Sequence, residues 1–173
     1  MGTLWPMTTL VLTVVGSDRS GIVAAVADVV ASHGGNWETS QLAELAGAFA
    51  GIVEVSVPAE REDALRAALA GLDGLHTVAV LAAGESSAPS QQIVLHVLGN
   101  DHPGIVRELS SALSAQGVSI ERMTTETRDA AMAGGRLFEA TVVAAAPADA
   151  DVAQVAAEIE RIAAEIQVDV TLD

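Results

Sequence analysis

The chain has 173 residues, half of them hydrophobic but only 2% aromatic, with no cysteine and a formal net charge of −15. All eight basic residues are arginine. That length gives one ordinary domain or two small ones, and the composition excludes disulfides, thiolate nucleophiles, cysteine-containing metal sites and lysine Schiff-base chemistry.

The charge is spread along the chain: nine acids and three bases in residues 1–83, fourteen and five in residues 84–173. Such a surface repels phosphate backbones and anionic membranes, so direct nucleic-acid or membrane binding is not expected. Its simplest use is solubility; the other is an acidic docking face. The apolar run Leu10–Val15 is far shorter than the roughly 20 residues a bilayer needs, and no basic segment precedes it as in a signal peptide. A cytoplasmic location is the expectation. Met1–Pro6 carry no pattern, and Met7 reads as the more natural start.

In chain order, Leu10–Val15 is nearly all apolar, as in a central strand. The turn Gly16-Ser-Asp18-Arg-Ser20-Gly21 opens a helix running from about Gly21 to His33. Its Ile22, Val26, Val29 and Val30 recur at spacings of three and four. Gly34 stands where a helix C-terminus favours positive φ. Strands are predicted at Asn36–Leu45 and Ala48–Val57, a second helix after Pro58, and a closing strand at His76–Leu81. The small, polar, Pro-containing stretch Ala82–Gln92 reads as a linker, centred on residues 84–91, between a domain at 8–83 and one at 92–173.

The second domain repeats the first. Residues 93–120 align without a gap on 10–37, with nine identities in 28 positions, among them Gly16/Gly99, Asp18/Asp101, Gly21/Gly104 and Gly34/Gly117. The elements recur: a strand at Ile93–Leu98, a helix from about Gly104 to Gln116, strands at Ser119–Thr127 and Arg136–Ala144, a helix after Pro147 and a strand at Val168–Leu172. The second copy has about six extra residues within Arg128–Gly135, which read as a longer hairpin loop. Each copy thus reads β-α-β-β-α-β, an α+β class with a ferredoxin-like antiparallel sheet and both helices on one face. Copies of this size have marginal cores. The expectation is that they pair edge to edge as one rigid unit, and that the free sheet face finds cover or a partner.

The turns carry what chemistry there is. A strand-to-helix turn presents unpaired helix N-terminal amides, with partial positive charge, that can receive a carboxylate. Gly21 and Gly104 let a ligand approach the backbone, Pro103 suits a first helical position, and Asp18 and Asp101 can cap amides or accept a ligand ammonium group. Taken alone, the same residues also describe a well-capped tight turn. Trp37 either walls a pocket or packs in the core. The four histidines have no metal-ligand spacing, although His102 could titrate beside a ligand. Arg122 and Arg128 read as a solvated strand face. No nucleophile elbow, Walker loop or dinucleotide fingerprint is present. No catalytic residue, metal or cofactor is expected, and an enzyme is the weakest option.

A βαββαβ unit with Asp18-Arg-Ser-Gly21, or Asp101-His-Pro-Gly104, after its first strand and a glycine thirteen residues later resembles an ACT domain. Two such units in a short chain resemble the glycine cleavage system transcriptional repressor group. That resemblance implies binding of a small amino acid, of the glycine or serine class, between paired domains. It implies contacts from Asp18, Ser20, Gly21, Ile22 and Asn36 in the first copy, and from Asp101, Pro103, Gly104, Ile105 and Ser119 in the second. An Asn amide can both donate and accept, whereas Ser is shorter, so the first copy has the better polar equipment. The resemblance further implies a homo-oligomer that regulates transcription by contacting a DNA-binding regulator. A freestanding regulatory subunit of a metabolic enzyme and a non-binding dimerisation module are the alternatives.

Overall fold

The computed structural model describes residues 6–84, 90–130 and 134–172. Most of the linker, the centre of the long hairpin loop and the first five residues therefore lie outside the described residues. The chain divides near residue 85 into two compact units.

The first unit contains β1 (Met7–Ser17), α1 (Ile22–Ser32), β2 (Asn36–Leu45), β3 (Ala48–Pro58), a short 3₁₀ turn, α2 (Glu62–Ala70) and β4 (Leu75–Ala82). The second contains β5 (Ser90–Asn100), α3 (Ile105–Ala115), β6 (Ser119–Asp129), β7 (Arg136–Pro147), α4 (Val152–Glu165) and β8 (Val168–Leu172). Both sheets are antiparallel and four-stranded, in the orders β2-β3-β1-β4 and β6-β7-β5-β8. This is the ferredoxin-like α+β arrangement expected for each copy.

Alternation explains the cores. In β1, Leu10, Leu12 and Val14 are buried; Leu10 and Leu12 cluster with Val26 and Val30 of α1, Leu65 and Leu69 of α2, and Val53, Val55 and Val57 of β3, while Val14 packs with Ile22 and Phe49. Leu95, Leu109, Leu113, Val142 and Ile159 form the equivalent core of the second unit. Trp37 is half-buried and packs on the first core, which settles its two options in favour of packing. Gly34 and Gly117 adopt φ of 71° and 70°, ending α1 and α3 as their positions require.

The second helices differ at their starts. Asp151 caps α4 by accepting from the amides of Ala153 (3.0 Å) and Gln154 (3.3 Å). The residue before α2 is Arg61, which makes no side-chain cap.

Candidate functional site

Each turn is anchored first through its backbone. The amide of Asp18 donates to Gly47 O in the β2–β3 hairpin (3.0 Å), and that of Asp101 to Arg136 O at the start of β7 (2.8 Å). Gly21 and Gly104 follow with φ of 85° and 97°, the left-handed region that a Cβ disfavours. They are the N-cap residues of α1 and α3. Pro103 therefore precedes the cap instead of occupying the first helical position, because Gly104 must turn the chain before Ile105 can begin the helix.

Asp18 and Asp101 do not cap. The cap positions carry no side-chain bond, and neither carboxylate has a hydrogen-bond partner among the described residues. The first intrahelical bonds run from Ala25 N to Gly21 O (2.9 Å) and from Glu108 N to Gly104 O (3.0 Å). The amides of Val23, Ala24, Val106 and Arg107 thus have no carbonyl of their own helix to donate to. Nothing lies within 4 Å of the space a Cβ would take on Gly21, whereas on Gly104 that space borders Arg107 at 3.5 Å. Ser20 and Pro103 are exposed. Ile22 and Ile105 are buried in the cores, so only their backbone belongs to the turn.

The two turns differ at three positions, 17/100, 19/102 and 20/103, and the second of these changes their contacts most. In the first, Arg19 donates to the Asp73 carbonyl and lies across Gly74, tying the turn to the entry of β4. In the second, His102 stands 3.7 Å from Glu108 in the first turn of α3 and contacts Pro103 O at 3.3 Å. Ser17 and His76 add a second tie in the first unit, at 2.9 Å. Sequence reasoning passed over Arg19; its signal was a lone cation inside an otherwise small and acidic turn.

Asn36 and Ser119 are not brought to the turns of their own units. Asn36 pairs with Ser56 of β3, whereas Ser17 pairs with Ala48, eight residues away. At about 3.3 Å per strand residue the separation is roughly 26 Å. The second unit repeats this offset: Ser119 pairs with Ala145 and Asn100 with Leu137. The helix reverses the chain, so the strand after it must start at the opposite sheet end. Asn36 itself donates to Glu38 (3.0 Å), which also accepts from Ser56 Oγ (2.6 Å). These two bonds, that from Ser56 first, hold the Glu38 carboxyl below the usual carboxylate range.

One concavity of about 390 Å³ lies on the helix-free face of the second sheet around His96, Thr141 and Glu139, one of about 110 Å³ lies on the first sheet around Val11 and Ile52, and a shallow one of about 510 Å³ runs along α3 from Arg107 to Ala115. Among the described residues no group of three or more His, Asp or Glu side chains is placed to hold a metal ion, and no helix is long and apolar enough to cross a membrane.

Two four-stranded units of this topology, each with an acidic turn opening its first helix, define a tandem ACT protein. The ACT-domain family model matches residues 8–80 and again 91–173, and the chain belongs to the ACT domain family. An unknown protein from Galdieria sulphuraria has a solved structure that is 32% identical in sequence; the match covers 97% of this chain and 98% of that one, with a TM-score of 0.82. A structure provisionally named as a glycine cleavage system transcriptional repressor is 18% identical over 96% of both chains, with a TM-score of 0.73. At that identity the likeness shows the fold. No curated protein matches the sequence. ACT domains indicate a small-ligand regulatory role.

Proposed function

We propose that this chain senses a small amino acid of the glycine or serine class and regulates amino-acid metabolism by contacting a DNA-binding regulator, not DNA. The observation that carries the proposal is the duplicated turn. In both units, helix amides without carbonyl partners stand beside an uncommitted aspartate, a pairing suited to an α-carboxylate and an α-ammonium group. Ligand-binding residues are Asp18, Ser20, Gly21 and Ile22 of one turn and Asp101, Pro103, Gly104 and Ile105 of the other. Asn36 and Ser119 lie roughly 26 Å from their own turns, so a ligand the size of an amino acid does not reach both within one unit. The net charge of −15 supports action through protein contacts instead of phosphates.

Calorimetry of the full chain against the twenty amino acids tests this. Binding of glycine or serine is expected, weakened at least tenfold by Asp18→Ala. Absence of binding by any amino acid would overturn the proposal. A pull-down that recovers a metabolic enzyme would move it to the regulatory-subunit alternative.

A further inference from the structure

The strand that leads into each turn has a neighbour on either side. On one side the two turns are held alike, through the amides of Asp18 and Asp101. On the other side they part. Val15 pairs with Thr77 of β4, but Gly16 pairs with Leu75, so His76 has no partner in the ladder. Such a β-bulge re-aims a side chain, and here it brings His76 Nε2 to 2.9 Å from Ser17 Oγ. In the second unit Leu98 pairs with Asp169 and Gly99 with Val168, without a break.

The residue before β4 completes the difference. Gly74 has a φ of 86°, and the place its Cβ would take is filled by the guanidinium of Arg19, which donates to the Asp73 carbonyl. The residue before β8 is Gln167, with a φ of 59°, and it carries a Cβ in the matching place. His102 turns instead towards Glu108 of its own helix. Among the described residues, 100–104 make no hydrogen bond to the entry of β8. The first turn is thus clamped from both neighbours of its strand, and the second from one.

We propose that Arg19 and His76 are positioning residues that make the first turn the tighter of two amino-acid sites in one chain. The inference rests on the reading of the turns as amino-acid sites. A small ligand at the start of α1 needs the Asp18 carboxylate and the amides of Val23 and Ala24 held in one geometry. Backbone freedom lost on binding weakens affinity, whereas freedom already lost in the free protein does not. Arg19 and His76 remove it beforehand, through Asp73 and Ser17, without touching the ligand. Ordering a single residue in advance is worth roughly tenfold in affinity. The second turn, tied to its helix but not to β8, must order as the ligand arrives.

Titration of the full chain with serine, followed at backbone amides by NMR, reads both turns in one experiment. The amides of Gly21, Val23 and Ala24 should saturate at roughly tenfold lower serine than those of Gly104, Val106 and Arg107. Arg19→Ala and His76→Ala should narrow that gap by weakening the first set alone. His76→Gln, which keeps a hydrogen-bonding group for Ser17, should preserve it. Gly74→Ala evicts the guanidinium but leaves its charge, so it should act as Arg19→Ala does; Arg19→Ala serves alone if Gly74→Ala melts early. In the ligand-free protein, backbone amide relaxation should show residues 17–21 more ordered than 100–104, a difference that Arg19→Ala reduces. Equal saturation at both turns, a tighter second turn, variants that lower the melting temperature yet keep the gap, or equal order in the free protein would each overturn this proposal while amino-acid binding stands. Silence at both turns would overturn the amino-acid reading, and the positioning roles with it.

Discussion

The two ACT units share topology, strand register and turn backbone, yet they differ at many of the side chains that meet solvent or a neighbouring loop. Gly21 and Gly104 have nearly the same φ, and the strand after each first helix begins eight register positions from the turn in both. Backbone demands are thus fixed twice over, while the side chains at 19 and 102 have diverged. Arg19 ties its turn to the Asp73 carbonyl with a permanent charge, whereas His102 faces Glu108 and carries a charge only when protonated. Duplication thus preserved the unpaired amides at the start of each first helix and left their surroundings free to diverge.

The close approach at the end of the first strand breaks that symmetry most strongly. A Cβ on Gly16 would overlap the backbone oxygen of Gly74, but on Gly99 it would meet mainly the Val168 side chain, at 2.5 Å from Cγ1. A backbone cannot yield as a side chain can. Gly16→Ala should destabilise the first unit by about 3 kcal/mol and Gly99→Ala the second by about 1–2 kcal/mol. Urea melts followed at each unit's own amides by NMR would measure both; equal losses would contradict the comparison.

A smaller asymmetry lies in the second helices. Asp151→Ala should cost about 1 kcal/mol, since it frees two amides. Arg61→Ala at the matching position should stay within about 0.5 kcal/mol, because it removes no cap. The same melts check this pair.

The smallest effect is electrostatic. Hydrogen bonds from Ser56 and Asn36 depress the folded pKa of Glu38, so its contribution to stability is full above the ordinary carboxylate range and is lost as the pH falls through the folded value. Carboxyl NMR titration should show the Glu38 midpoint rising in Ser56→Ala. Ala145 faces Ser119 in the second unit, where Ser56 faces Asn36 in the first, so the comparison extends to the ends of the sheets.

Much of the fold was legible in the sequence because its determinants are local. Leu10, Leu12 and Val14 alternate, Ile22, Val26 and Val30 recur at helical spacing, and Gly34 and Gly117 stop their helices as expected. The turn amides were legible for the same reason. The capping role considered for Asp18 was not realised, since Gly21 occupies the cap position. The separation of Asn36 from the turn follows from chain reversal by α1, a topological fact that positional analogy overlooks. The Arg19 contact joins residues 54 positions apart and has no local signature. Nor did the first strand reveal its apolar outer face: Val11, Thr13 and Val15 merge with the core residues into one run that reads as buried on both sides.

Amino-acid binding at the turns is tested most directly by backbone amide shifts during a glycine or serine titration of the full chain. The amides of Gly21, Val23 and Ala24, with those of Gly104, Val106 and Arg107, should shift saturably, and Asp18→Ala should weaken the first set at least tenfold. Saturable shifts confined to the helix-free sheet faces, with both turns silent, would contradict it.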